Sequence, residues 1–170
     1  MYQRILVPVD GSPTSNAGLT EAIKLAKLTG ARLRLLHRTH EMPYVMSAEG
    51  YGSVAVDMNA YLTEAGTSIL EKARIQVEAQ GIAVDSVLLD TYGTRLSELV
   101  VKQVEEWGAD LIVLGTHGRR GVGRLLLGSD AEQIVRTATV PVLLIRGKEA
   151  EAIPEKATLL PLASGPLAGL

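Results

Sequence analysis

At 170 residues, 46% of them hydrophobic and 21% charged, the chain is long enough for one globular domain with a sizeable core. A formal net charge of −2 supplies no long-range field for nucleic acid or an anionic membrane, and five Tyr, one Trp and no Phe leave little for base stacking. With no Cys, disulfides, thiolate zinc sites and cysteine nucleophiles are excluded.

Ile5-Leu6-Val7-Pro8-Val9 is an apolar run of the kind buried on both faces in a parallel sheet, and it ends at Asp10-Gly11-Ser12-Pro13. Ser12 before Pro13 is the pattern of a helix N-cap with proline at the first helical position. Leu19, Ala22, Ile23 and Ala26 follow at helical spacing, and Gly30 stops them. Residues 33–36 predict a second strand, ending at His37-Arg38. The stretch from Thr39 to about Val54 has no period and is broken by Pro43, Gly50 and Gly52, as in a surface excursion or lid. A helix is predicted over 57–79, with Gly81 beyond it, then a strand over 84–89. Another helix follows Thr94, with Leu96, Leu99, Val100, Val104 and Trp107 on one face and Gly108 at its close. The fourth strand is 111–114, a short helix starts near Ser129 and runs to Thr137, and 140–145 is the fifth strand. Strands alternating with helices indicate an α/β domain with right-handed crossovers. Residues 147–170 hold three Pro and three Gly without a usable period and predict a tail. The first residues show no signal-peptide pattern and no apolar run reaches membrane-spanning length, so the expected location is cytoplasmic.

Function concentrates at residues 115–130, GTHGRRGVGRLLLGSD, between the fourth strand and the last helix. Glycines at 115, 118 and 128, with Ser129 next, give the spacing G-x2-G-x9-G-S. Such glycines either bring backbone close to a ligand or only permit turns. A helix N-terminus directly beyond them suits phosphate, and Arg119, Arg120 and Arg124 add cationic reach. A strand order of 3-2-1-4-5 would set Asp10 and Gly115 at one crevice, where ligands of open α/β sheets bind. Asp10 also has the simpler reading of a turn residue, while Ser129 is expected to be both N-cap and phosphate contact. His37 and His40 lack helical ligand spacing, so metal binding by the histidines is not expected. A Walker-type phosphate loop, a G-x-G-x-x-G after the first strand and a G-x-S-x-G elbow are all missing from the sequence. No lysine stands in the glycine loop to act on a transferring phosphoryl group.

The chain resembles the universal stress protein family, in its nucleotide-binding branch. The likeness is carried by Ile5-Leu6-Val7-Pro8-Val9-Asp10-Gly11-Ser12, Leu35-Leu36-His37 and Ala109-Asp110-Leu111-Ile112-Val113-Leu114-Gly115-Thr116-His117-Gly118, then by Gly128-Ser129 and Val140-Pro141-Val142-Leu143-Leu144-Ile145-Arg146. It covers roughly residues 2–147 in matching order and implies a domain over 1–147 followed by a tail over 148–170. It further implies a Rossmann-like, adenine nucleotide alpha hydrolase-like sheet of five parallel strands, order 3-2-1-4-5, with helices on both faces. The implied ligand is ATP, with AMP or ADP as variants, accompanied by Mg²⁺ or Mn²⁺. Asp10 would contact the ribose or a phosphate-bound cation, backbone near Val9 and Arg38 would border adenine, and Gly115, Gly118, Gly128 and Ser129 would hold ribose and phosphates. Pro8, Thr116, His117, Arg119 and Asp130 complete the nucleotide site. Antiparallel pairing of the last strand, residues 140–146, would form a homodimer.

Two residues depart from the family's pattern. Arg38 stands where the family usually has a small apolar residue, and its stem would pack beside the base. Asp130 replaces a neutral residue; its charge suits an empty helix N-terminus and repels a triphosphate unless a cation bridges them. The implied function is an ATP-binding regulatory, stress-response module acting on a regulatory protein or transporter, with no catalytic residue. The alternatives are a weak ATPase or phosphotransferase using a metal held by Asp10, with Asp130 as a second candidate ligand, and a dimeric interaction module that binds no ATP.

Overall fold

The computed structural model describes residues 1–39, 52–90, 93–116 and 127–146, with backbone only for 52–58 and 90. Along the chain run β1 (Arg4–Pro8), α1 (Pro13–Thr29), β2 (Arg32–Thr39), α2 (Gly52–Glu78), β3 (Val84–Asp90), α3 (Leu96–Trp107), β4 (Leu111–Gly115), α4 (Ser129–Thr137) and β5 (Val142–Ile145). All strand pairs are parallel and the order is β3-β2-β1-β4-β5, as the sequence predicted.

The central strand explains its own composition. Ile5, Leu6 and Val7 are completely buried because β1 is covered on both sides. Ile5 and Val7 join Leu33, Leu35 and Val113 against α1 and α2. Leu6 joins Leu36, Ile112 and Leu114 against Val100 and Val104 of α3 and Ile134 of α4. At the lower end of the sheet, Asp110 fixes β4 beside β1. Its carboxylate accepts the N–H groups of Gln3 (2.7 Å) and Arg4 (3.0 Å), and its own N–H donates to the Arg4 carbonyl (2.9 Å).

The helix signals hold. Ser12 caps α1, accepting the Ser15 N–H at 3.2 Å, with Pro13 in the first turn. Ser12→Ala should therefore lower unfolding free energy by about 1 kcal/mol, as measured by urea denaturation. Gly30 and Gly108 end α1 and α3 in the left-handed conformation, at φ 72° and 69°.

The larger boundary differences from expectation have local reasons. β2 runs on through Thr39 because its last residues continue the β3 ladder, His37 opposite Leu88 and Arg38 opposite Leu89, and ladder bonds do not require apolar side chains. Helix α2 begins at Gly52, ahead of the predicted 57, and the remainder of the expected lid, residues 40–51, lies outside the described residues. β5 starts at Val142, not at Val140; Pro141 has no N–H for a ladder and contributes only its carbonyl, to the Ile112 N–H at 3.0 Å. Residues 147–170, where the tail was expected, are also outside the described residues. Among the described residues no helix is long and apolar enough to cross a membrane.

Candidate functional site

Because β1 and β4 are parallel neighbours, with Ile5 opposite Leu111 and Leu6 opposite Ile112, the turns that follow them leave from the same end of the sheet. Strands on the two sides of β1 connect in opposite winding directions, so this is the sheet's switch point.

On the β1 side, Val9 continues the ladder through its N–H to the Leu36 carbonyl (2.8 Å), and Pro8 is half-buried beside it. Asp10 then turns the chain. Its Oδ1 accepts the Ser12 N–H (2.9 Å) and its own N–H donates to Ser15 Oγ (3.1 Å), while Gly11 adopts φ 78°. The turn-residue reading of Asp10 is thus realised, whatever else the carboxylate does. His37 is buried, with Nδ1 2.6 Å from the Val9 carbonyl, a strand-end residue holding the first turn in place.

On the β4 side, Gly115 has a packing explanation. A Cβ there would sit 2.6 Å from the carbonyl carbon and oxygen of Thr14 and 2.9 Å from the Ser15 nitrogen. One at Gly18 would sit 3.2 Å from the Gly115 nitrogen. The first turns of α1 and the end of β4 therefore touch backbone to backbone, and the absent side chain is accounted for without a ligand.

Thr116, also buried, bonds to both neighbours of β4's tip. Its N–H donates to the Ile145 carbonyl and its carbonyl accepts the Gly128 N–H, both at 2.9 Å. However residues 117–126 run, the chain comes back to the tip of β4 before α4 begins. His117, Gly118, Arg119, Arg120 and Arg124 lie outside the described residues.

The expected N-cap needs correcting: Gly128 occupies that position and Ser129 is the first helical residue. The Gly128 carbonyl takes the first helical bond, from the Glu132 N–H at 2.8 Å, and no side chain caps the helix. The N–H groups of Ser129, Asp130 and Ala131 precede that ladder, the arrangement that gives helix starts their affinity for anions.

Arg38 is held at its guanidinium. Its Nη1 donates to the Thr94 carbonyl (2.9 Å), and its Nη2 lies 4.0 Å from Asp130 Oδ2. Its side chain is 15% exposed and that of Asp130 54%, so a held cation meets a solvated anion. Arg38 and Asp130 therefore face one another. Nothing in the sequence signals this pair, and the supporting roles of Thr94, Thr116 and Asp110 are equally silent there.

The described part of the site offers backbone donors, hydroxyls, one guanidinium and two carboxylates. Among the described residues no cluster of three His, Cys, Asp or Glu could hold a metal ion. A nucleotide-borne Mg²⁺ takes most of its ligands from phosphate and water and needs only one or two protein carboxylates, a demand that Asp10 fits in chemical type.

The five parallel strands, their order and the switch point between β1 and β4 define a Rossmann-like α/β protein. The chain belongs to the universal stress protein family, whose model matches residues 1–146. It is 33% identical over 152 residues to universal stress protein MJ0531 of Methanocaldococcus jannaschii, covering 89% of this chain and 86% of that one. Among solved structures it is similar to protein MJ0577, with 28% identity, a TM-score of 0.73 and coverage of 88% of this chain and 99% of that one; that protein comes from the same organism. A universal stress protein of Archaeoglobus fulgidus, solved in complex with dAMP, shares the fold at 21% identity and a TM-score of 0.52, over 85% of this chain and 98% of that one.

Proposed function

We propose that this protein is a nucleotide-binding regulatory module that takes ATP, or AMP or ADP, at the crevice between the ends of β1 and β4. The observation that carries the reading is the Thr116–Gly128 hydrogen bond, which draws the start of α4 to the tip of β4, beside the turn at Asp10. Adenine would lie near the Val9 backbone and Arg38, with the ribose at Asp10. The phosphates would meet the first N–H groups of α4 and the glycine loop, including Gly118 and Arg119. Mg²⁺ or Mn²⁺ carried by the nucleotide would use Asp10 as its protein ligand. Edge strand β5, with residues 140–146 around it, would pair with a second copy in a cytoplasmic homodimer, the 1–147 domain carrying a tail over 148–170. Occupancy would alter the surface presented to a regulatory protein or transporter.

Calorimetric titration of the purified protein with ATP at physiological salt, with and without Mg²⁺ or Mn²⁺, tests this reading. Binding that saturates at one nucleotide per chain is expected; no binding under either condition removes it. Asp10 can be examined separately. Asp10→Asn keeps an acceptor for the Ser12 N–H and should unfold like the wild type, yet lose about fivefold in affinity for the Mg²⁺ complex only. Asp10→Ala should in addition lose about 1 kcal/mol of stability. Unchanged Mg²⁺ enhancement in Asp10→Asn would end the assignment of the cation to this carboxylate.

A further inference from the structure

Helix α4 begins with two carboxylates, and the structure gives each a different cation. Glu132 is held by Arg136 one turn along its own helix, Nη2 to Oε1 at 2.9 Å. Asp130 instead faces Arg38, which comes from β2. In the order β2-β1-β4, that contact joins the strand on one side of β1 to the helix that follows the strand on its other side. The pair therefore lies at the end of β1, where the nucleotide crevice is placed. As a stabilising contact it is worth little: the separation is 4.0 Å and the Asp130 side chain is 54% exposed, so solvent screens the pair. Its electrostatic effect on an arriving anion is a separate matter. A carboxylate in the first turn offsets the attraction of the helix start for phosphate, and the penalty grows with the number of phosphate charges. Arg38 reduces that penalty, and the Thr94 carbonyl holds it in position to do so.

We infer that Asp130, screened by Arg38, biases the crevice's preference among nucleotides by phosphate charge, disfavouring unchelated ATP relative to AMP. The inference rests on the nucleotide-binding reading and deepens it. Asp130 acts through its field on the bound phosphates, and Arg38 acts by moderating that field.

The test is calorimetric titration of the full chain with AMP, and with ATP in EDTA, using wild type, Asp130→Asn, Arg38→Met and the double variant. Thermal unfolding of each variant establishes that it is folded at the titration temperature. Asp130→Asn should tighten ATP binding about three- to tenfold and AMP binding by less than about twofold. The gain in ATP affinity on replacing Asp130 should be larger, by about threefold, in the Arg38→Met background, where the carboxylate has lost its screen. Equal effects on ATP and AMP, or an equal gain in both backgrounds, would overturn the inference while leaving nucleotide binding intact. If the wild type binds neither AMP nor ATP with or without Mg²⁺, the functional reading itself fails and this inference falls with it.

Discussion

Gly115→Ala should destabilise the protein by about 3 kcal/mol, with loss of nucleotide affinity in the fraction that remains folded. The magnitude follows from what the new methyl meets. Its nearest neighbours are the Thr14 carbonyl, at 2.6 Å, and the Ser15 nitrogen, at 2.9 Å, all backbone of the first turn of α1. A flexible side chain could swing aside; a helix start tied down by the Ser12 cap cannot move without loosening the whole turn. Relief requires α1 and β4 to separate at the sheet end where Asp10 and Thr116 stand, so the same strain reaches the proposed binding site. Urea denaturation should show the midpoint falling with little change in slope, and the thermal midpoint should drop by roughly 9 °C. Gly30 provides the contrast. Nothing lies within 4 Å of a Cβ there, and its glycine serves a left-handed φ of 72° alone. A Gly115→Ala protein as stable as the wild type would mean that α1 and β4 do not approach in this way.

Ile112→Ala should cost about 3–4 kcal/mol, comparable in size but different in kind. Ile112 is completely buried in β4, opposite Leu6 of β1 and Val142 of β5, and belongs to the cluster with Leu36, Val100 and Ile134. Removing most of its side chain leaves a cavity lined from neighbouring strands and two helices, which cannot all close over it. The backbone at Gly115 is untouched, so nucleotide affinity measured well below the unfolding midpoint should stay within about twofold of wild type. Together the two variants separate a defect in the core from a defect at the switch point. Denaturant unfolding gives the first quantity and calorimetry the second.

The fold was legible because its signals are local. Ile5, Leu6 and Val7 announced a doubly covered strand, Ser12-Pro13 a helix start, and Gly30 and Gly108 helix ends, each through backbone chemistry confined to a few neighbours. The strand order came from likeness to a family, since periodicity carries no information about which strands pair. Boundaries slipped where polar residues kept a ladder going, as from His37 to Thr39, and where Pro141 withheld a donor. The N-cap of α4 lies one residue earlier than the sequence predicts, because G-S reads as glycine followed by a cap whereas the helix takes Gly128 at that position and no side-chain cap at all.

The amino-acid sequence on its own determined the alternation of strands and helices, the buried runs and the caps, because hydrophobic period and backbone preference act over one or two turns of chain. Only the tertiary structure decided why residue 115 is a glycine and what Asp130 faces. Both answers depend on atoms brought together from elsewhere in the chain, Thr14 against Gly115 and Arg38 against Asp130. Steric exclusion and Coulomb interaction depend on distance in space, and that distance exists only once β1 and β4 lie side by side.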